Sequence, residues 1–400
     1  MKKLAILSMD AVRIPLLPTA PNVKIENGEE YDIRDKCTRA TALGQRLTFF
    51  ADELSKYFDV TVLVPDLNYP PDNAIDYSKI NYTFKPYNWF DANWHYSEYL
   101  AQQFLEYDII IMQSAGGVGF LNGAKLPSHI ILCIDACLPF PVEYKKLLDI
   151  YPPDKQDEYY QMGMNQYKQL MNRADLLIYA NDRQRNFYEG LFIQLSDYNT
   201  KFMHDMQFIK VQNPIADRYI HKRKMNSTYQ FLWYGGIYPW YAVDKVFEMV
   251  DTFDNISITF SGVLHPRFKK IRDNFYREYH DRLLNHPKIS IDYNYYDDPT
   301  TLFSMYDATI VMAQEGMENS YSNRSRILDS ISYGLPVITN KTNPLHDEPF
   351  LADVLVPYTD IHDMDSCLVK LNDIADEDFY NIYQYYTSEN CFNDLICRLK

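Results

Sequence analysis

The sequence predicts an α/β protein built from two parallel-sheet domains, and three observations lead to that fold class. Short apolar runs alternate with longer segments whose apolar residues recur at helical spacing, the pattern of parallel strands covered on both faces by helices. The pattern is interrupted once and restarts in the second half of the chain. The chain has 400 residues, more than one ordinary hydrophobic core contains.

The first predicted sheet takes its strands from runs that are apolar almost throughout and are bounded by polar or turn-forming residues. These runs are LAILSM (4–9), VTVLVP (60–65), DIIIMQS (108–114), HIILCID (129–135), DLLIYA (175–180) and FIKVQNP (208–214). The segment 41–58 has helical spacing and is predicted to be a helix. The amino-terminal run stops at Asp10, so it is too short for an export signal and indicates a first buried strand.

The second predicted sheet begins after a seam at 213–228, where proline, charged residues and Asn, Ser and Thr interrupt both patterns. Its strands are YQFLWYG (229–235), ISITFSG (256–262), KISIDYN (288–294), ATIVMAQ (308–314), LPVITN (335–340) and DVLVPY (353–358). We therefore predict an N-terminal domain of residues 1–215, a C-terminal domain of residues 216–385 and a helix, 386–400, that packs back on the N-terminal domain.

The composition excludes several classes of protein. The formal net charge is -15 and the pI is near 5.0, so the phosphate backbone of a nucleic acid would be repelled. The six cysteines form no Cys-x-x-Cys pair, which is typical of free thiols in a reducing compartment rather than of disulfides or zinc sites. No window approaches the ~18 continuous apolar residues of a membrane span, so we expect a cytoplasmic protein.

Ligands of open parallel sheets bind beyond the carboxyl ends of the strands, so residues directly after the predicted strands are candidate site residues. Gly116 and Gly117 follow one strand within SAGGVGFLNG, which lacks the third glycine of a dinucleotide-binding turn. We expect a loop that lines the ligand cleft or a plain flexible loop, rather than a hydride-transfer site. Asp135 ends another strand, where it is a candidate site residue, and a cap of the following helix is the alternative.

The stretch YGGIYPW places Gly235 and Gly236 between a strand and a helix. A helix N-terminus has free N–H groups and partial positive charge, and glycine lets an anion approach the backbone closely. The pair therefore suits a phosphate group, and a tight turn without a ligand is the alternative.

Four stretches together resemble the group-1 family of GT-B glycosyltransferases. DSISYGLPVIT (329–339) is similar to the family's E-A-x-A-x-G-x-P-V-V segment, and ENSYSNRSRILD (318–329) resembles a branch with an acid before an aromatic-Ser-x-Arg-Thr-Arg run. The same branch has a Gly-Gly-Ile-Trp stretch like YGGIYPW and an ADxxICASERQRDFW stretch like ADLLIYANDRQRNFYEG (174–190). The order of these stretches along both halves makes the resemblance specific.

The resemblance implies two Rossmann-like domains that face each other across a cleft, and it assigns roles to the candidate residues. Asp329 takes the place of the second family glutamate, whereas Tyr321 stands at the first, so Glu318 becomes the displaced acid. Asp135 and Glu318 are then the catalytic candidates, Asp135 to position or deprotonate an acceptor hydroxyl, and Gly116 and Gly117 lie on the acceptor side. The implied donor-binding set is Gly235, Gly236, Arg324, Arg326 and Asp329.

The implied reaction transfers a sugar from a nucleotide sugar to a hydroxyl acceptor with retention of configuration, in glycan or surface-polysaccharide assembly. The departing diphosphate needs cations, and Arg324 and Arg326 would supply them; a surface ion pair with Asp329 or Glu318 is the alternative. No cofactor or metal is expected, because the acidic triplets at 296–298 and 363–365 lie in surface patterns. A lipid-linked glycan acceptor would add weak contact with the inner face of a membrane.

Two other functions share this scaffold. A nucleotide-sugar epimerase converts its donor without an acceptor, although it usually places more acids and histidines in the cleft than this chain offers. A degenerate, non-catalytic protein that binds a sugar nucleotide or a partner enzyme is the third hypothesis, and Tyr321 in place of the first glutamate favours it.

Overall fold

The computed structural model describes residues 1–8, 23–26, 29–32, 42–65, 80–87, 102–113, 126–148, 152–195, 207–218, 228–238, 240–261, 279, 281–292 and 299–400. The chain divides into two compact units, which we describe separately. The first unit comprises Met1–Asn213 together with Cys391–Lys400, and the second comprises Pro214–Asn390.

The first unit contains a seven-stranded parallel sheet in the order β5-β4-β1-β6-β7-β8-β9, and a separate antiparallel pair, β2-β3. Its strands are β1 (Lys3–Leu7), β2 (Val23–Glu26), β3 (Glu29–Asp32), β4 (Asp59–Pro65), β5 (Thr83–Tyr87), β6 (Ile109–Gln113), β7 (Ile131–Asp135), β8 (Leu176–Tyr179) and β9 (Gln207–Lys210). Its helices are α1 (Ala42–Leu54), α2 (Phe140–Leu147), α3 (Pro153–Arg173) and α4 (Asp182–Leu195).

The second unit contains a six-stranded parallel sheet in the order β12-β11-β10-β13-β14-β15. Its strands are β10 (Tyr229–Tyr234), β11 (Ile256–Ser261), β12 (Ile289–Asp292), β13 (Ala308–Val311), β14 (Val337–Asn340) and β15 (Leu355–Tyr358). Its helices are α5 (Val243–Thr252), α6 (Pro299–Phe303), α7 (Met317–Tyr321), α8 (Ser325–Ser332), α9 (Leu351–Val354), α10 (Met364–Asp373) and α11 (Asp376–Tyr385), with 3-10 turns at Pro344–Asp347 and Ile361–Asp363. The predicted pair of parallel-sheet α/β domains is confirmed.

The strands of the first sheet are apolar on both faces because each face lies against its own core. Along β6, Ile110 and Met112 pack into one cluster, whereas Ile109 and Ile111 pack into the other. Alternate residues of a strand point to opposite faces, so a continuous apolar run buries both faces of the sheet at once. This explains why the strands read as unbroken apolar runs.

The last helix, α12 (Ser388–Leu399), supplies apolar side chains to the core of the first unit. Phe392 is 1% exposed and meets Phe50 edge-to-face, with ring centroids 4.9 Å apart. A fully buried phenylalanine contributes roughly 2–3 kcal/mol by burial alone. The carboxyl end of the chain therefore helps to hold the first sheet together.

Strand order reverses at one point in each sheet. In the second unit the chain runs from β10 outward through β11 to β12 and then returns to place β13 on the other side of β10. The connections after β10 and β13 therefore diverge to opposite faces, which opens a crevice at the carboxyl ends of these two strands. The equivalent point of the first unit lies between β1 and β6.

Among the described residues, no helix combines the length and the apolar character needed to cross a lipid bilayer.

Candidate functional site

The crevice between β10 and β13 brings together the segments that the sequence marked in the second unit. Gly235 and Gly236 follow β10, and the segment 312–316 follows β13. Helix α8, which begins at Ser325, carries Arg326 and Asp329. Glu318 lies on the short helix α7 just before it. The predicted donor-binding residues thus belong to one unit and are grouped around one edge of its sheet.

The turn at Gly235 receives the guanidinium group of Arg326. Gly235 has a φ of +93°, and its N–H donates to the carbonyl of Ser261 at 2.8 Å. A Cβ atom at this position would lie 3.1 Å from Nη2 of Arg326, closer than carbon and nitrogen ordinarily approach. Nη2 in turn donates to the carbonyl of Gly236 at 3.2 Å. The glycine pair therefore seats a cation that lies 90 residues further along the chain.

Arg324 forms a buried ion pair with Glu318. Nη2 of Arg324 donates to Oε2 of Glu318 at 2.6 Å, and the hydroxyl of Ser322 donates to Oε1 at 2.6 Å. Arg324 is 6% exposed and Glu318 is 2% exposed. Burial opposes the charge of Arg324, but the interactions with Tyr241 and Glu318 outweigh it and raise the pKa of the guanidinium. Both oxygens of Glu318 are thus engaged within the protein.

The two arginines differ in how their charges are matched. Glu318 balances Arg324, whereas among the residues that the structure describes no carboxylate pairs with Arg326. Nε of Arg324 and Nη1 of Arg326 are buried and meet no acceptor in the described part of the chain. Buried donors are almost always satisfied in native proteins, so these two N–H groups indicate a missing partner. Water or an anionic ligand would complete them.

An exposed glutamate, Glu315, lies at the same edge and was not singled out from the sequence. Its Oε1 accepts from the side-chain amide of Asn340 at 2.8 Å, and its Oε2 accepts from the hydroxyl of Thr342 at 2.8 Å. Asn340 is itself fixed by hydrogen bonds to both backbone groups of Ala313, at 2.7 and 3.0 Å. Glu315 is therefore a positioned carboxylate at the end of β13, and its place directly after a predicted strand was the available signal.

Asp329 lies on α8 three residues after Arg326 and is partly buried. Its role as the counterpart of the second family glutamate stays a prediction.

Asp135, the candidate of the first unit, ends β7 in a buried ion pair with Arg46 of α1. Nε of Arg46 lies 2.8 Å from Oδ2, and Nη2 donates to Oδ1 at 2.9 Å. Arg46 also donates to the side chain of Asn213 at 2.6 Å and to the carbonyl of Val211 at 2.9 Å. Asp135 is 1% exposed. The pair joins α1, β7 and the segment after β9 at the carboxyl edge of the first sheet. The sequence predicted an acceptor contact or a helix cap for Asp135, and this ion pair is neither.

The acceptor-side candidates Gly116 and Gly117 lie outside the described residues. Within the described ranges, no group of three or more His, Cys, Asp or Glu side chains is arranged to hold a metal ion. The described cysteines are free thiols, and burial raises the pKa of Cys367 to about 11.

Comparisons with solved structures identify the fold. HepE of Anabaena, solved with UDP and glucose, superposes with a TM-score of 0.63 at 12% identity, over 100% of this chain and 99% of its own. Sucrose-phosphate synthase from Thermosynechococcus elongatus gives 0.61 at 10% identity, over 100% and 99%. The apo form of the lipopolysaccharide outer core galactosyltransferase WaaB gives 0.55 at 13% identity, over 100% of both chains. The chain has the GT-B fold.

This fold agrees with the one implied by the ordered sequence stretches. No family model and no curated protein sequence matches the chain. At 10–13% identity the likeness establishes the fold and leaves the reaction to be argued from the residues.

Proposed function

We propose that the protein is a glycosyltransferase that moves a sugar from a nucleotide sugar to a hydroxyl acceptor. The observation that carries the proposal is the guanidinium of Arg326 seated on the Gly235–Gly236 turn, with no carboxylate partner among the described residues. A nucleoside diphosphate offers the negative charge and the acceptor oxygens that this cation and the two unmatched N–H groups need. The GT-B structures solved with UDP and with UDP-glucose support the same ligand class.

The arrangement suits the bond-breaking step of sugar transfer. As the glycosidic bond to the donor breaks, negative charge develops on the departing diphosphate, and a fixed cation stabilises it more in the transition state than in the ground state. Arg326 would supply that charge, and Arg324, already neutralised by Glu318, would supply an N–H group. We take retention of configuration from the family resemblance; it implies attack on the face that the diphosphate leaves.

Of the two glutamates in this region, Glu315 is the better placed to contact the donor sugar. It is exposed and held by Asn340 and Thr342, whereas Glu318 is buried with both oxygens bonded to Ser322 and Arg324. We therefore assign Glu318 an indirect role, holding Arg324 in place. The catalytic role predicted for Glu318 from the sequence can be tested directly against this assignment.

A donor screen tests the proposal. Thermal unfolding is followed with UDP-, GDP-, ADP- and dTDP-sugars, because a ligand at 100 times its Kd raises stability by about 2.7 kcal/mol. Calorimetry with the corresponding diphosphates then gives Kd. Arg326→Met is expected to weaken diphosphate binding at least ~10-fold, since it removes a charge-assisted contact. Absence of binding by all four nucleotides and of diphosphate release from all four sugars would refute the proposal.

Arg282→Met is the matched control for the loss of charge. Arg282 belongs to the same unit but forms an exposed pair with Asp244 at 2.6 Å. Exposed pairs contribute little, so this variant should bind the nucleotide like the wild type. Equal losses in both variants would mean that net charge, rather than the seat of Arg326, sets the affinity.

A second pair of variants separates the glutamates. Glu315→Gln should lower turnover and leave diphosphate affinity unchanged, because its carboxylate is proposed to contact the sugar. Glu318→Gln should weaken diphosphate binding, because it removes the charge that holds Arg324. The reverse outcome, with turnover lost only in Glu318→Gln, would restore the catalytic role of Glu318. Donor conversion without any acceptor would instead indicate an epimerase.

The acceptor stays at the level of the sequence predictions: a glycan or a lipid-linked glycan in surface-polysaccharide assembly. The galactosyltransferase WaaB, named for the lipopolysaccharide outer core, supports this acceptor class. Weak contact with a membrane face is tested by sedimentation with anionic and neutral vesicles.

A further inference from the structure

Tyr241 lies close to both arginines of the proposed donor site, and its ring is buried. Its backbone forms an antiparallel bridge with Ala313, and the N–H of Ala242 donates to the carbonyl of Met312 at 3.1 Å. The segment after β10 is thereby tied to the segment after β13. The ring is 6% exposed and meets Trp233 edge-on, with centroids 5.4 Å apart and an interplanar angle of 78°.

Both guanidinium groups lie over the ring of Tyr241. The Cζ atom of Arg324 is 5.0 Å from the ring centroid, and that of Arg326 is 4.3 Å from it. The face of an aromatic ring attracts cations through its quadrupole and adds no full negative charge. A carboxylate here would neutralise the second arginine, whereas the ring holds it and leaves its charge available to an anion.

Arg326 has few other constraints. Its described hydrogen bond, to the carbonyl of Gly236, is 3.2 Å long. A free arginine side chain occupies many rotamers, and freezing them when a ligand binds lowers the affinity. A ring that fixes the guanidinium before the ligand arrives removes that penalty.

We propose that Tyr241 is a positioning residue that holds the guanidinium groups of Arg324 and Arg326 ready for the diphosphate of the donor. The inference rests on the proposed function, since it concerns the same ligand. Tyr241 acts through the two arginines and need not touch the ligand. Phenylalanine keeps the aromatic face and loses only the hydroxyl, which also interacts with Arg324. Phenylalanine should therefore keep most of the affinity, and an aliphatic side chain should not.

The test compares Tyr241→Phe with Tyr241→Leu, using calorimetry with UDP, GDP, ADP and dTDP as probes. Tyr241→Leu is expected to weaken the diphosphate that the wild type binds by ~10-fold, because two contacts of this kind are lost. Tyr241→Phe should stay within ~3-fold of the wild type. Circular dichroism and urea unfolding verify that each variant is folded.

A double-mutant cycle with Arg326→Met supplies the readout that a purely structural role would not change. In that background Tyr241→Leu should cost clearly less affinity than in the wild type, because one of its two cations is already absent. Equal losses in both backgrounds, or full affinity in Tyr241→Leu, would overturn the inference and leave the proposed function standing.

Arg326→Lys covers the case in which Tyr241→Leu does not fold. Lysine keeps the charge but lacks the planar group that stacks on a ring, so binding should weaken by a factor similar to that of Tyr241→Leu. Wild-type affinity in Arg326→Lys would overturn the inference. A wild-type protein that binds none of the four diphosphates would instead remove the proposed function itself.

Discussion

Replacing Gly235 by alanine tests whether the glycine turn binds phosphate itself or serves to seat Arg326. The backbone at Gly235 has a φ of +93°, which costs an L-residue about 1–2 kcal/mol. The new Cβ would lie 3.1 Å from Nη2 and 3.3 Å from Cζ of Arg326. The guanidinium is the far end of a flexible side chain, so it should move by a few tenths of an ångström and weaken its 3.2 Å hydrogen bond to Gly236.

The expected result is a loss of stability of about 1–2 kcal/mol and a loss of diphosphate affinity of ~10-fold, equivalent to 1.4 kcal/mol. Urea unfolding and calorimetry measure the two effects separately. The affinity effect should vanish in the Arg326→Met background, because the displaced group is then absent. If Gly235→Ala weakens binding equally in both backgrounds, the turn contacts the phosphate through its own backbone and our reasoning about Arg326 is refuted.

Gly190→Ala is the matched control for this substitution. Gly190 lies within α4, and an added Cβ there meets no atom within 4 Å. Alanine in a helix is about 0.5–1 kcal/mol more stable than glycine, so this variant should gain stability and bind the nucleotide unchanged.

Three further predictions concern other parts of the molecule. Asp135→Asn should lower the free energy of unfolding in urea by about 3–5 kcal/mol, because it leaves Arg46 charged and buried. Replacing both Arg46 and Asp135 by apolar residues should recover most of that loss. Turnover lost at full stability would instead support the predicted acceptor role of Asp135. Since burial raises the pKa of Cys367 to about 11, its thiol should react with iodoacetamide at pH 8 far more slowly than that of the exposed Cys397, as peptide mass mapping would report. Turnover should persist in excess EDTA, because guanidinium groups are proposed to balance the diphosphate charge; loss of activity that Mg²⁺ restores would contradict this.

The fold class could be predicted from the sequence because parallel strands buried on both faces are locally recognisable. Ile109 to Met112 must be apolar at every position, since alternate residues enter different cores. The order of the four family-like stretches predicted the GT-B architecture. Apolar runs and family-like stretches are each contiguous in the sequence, so they can be recognised without knowing which strands are neighbours in the sheet.

The site was predicted in part, to the extent that its residues follow strands. Gly235 and Gly236 follow a strand as the sequence predicts, and Arg326 lies against them. Diphosphate binding by these residues stays a prediction. Glu315 lies outside the family-like stretch 318–329, which points to Glu318 instead. The two glutamates differ in exposure, which only the fold sets. Glu315 is exposed and bonded to Asn340 of β14 and to Thr342 after it, whereas Glu318 is buried.

The sequence by itself therefore determined the two parallel sheets, the position of their carboxyl edges and the small set of residues that could meet there. Only the tertiary structure decided how those residues share their charges: Glu318 neutralises Arg324, Tyr241 holds Arg326 without neutralising it, and Arg46 occupies Asp135. The physical reason is distance along the chain. Strand and helix patterns arise from neighbours within a few residues, whereas Arg46 and Asp135 lie 89 positions apart and Tyr241 and Arg326 are also distant in the chain, so no local pattern encodes these contacts. Glu318 and Arg324 are close in the sequence, which offered their ion pair as an alternative, and the fold decided it by burying both side chains.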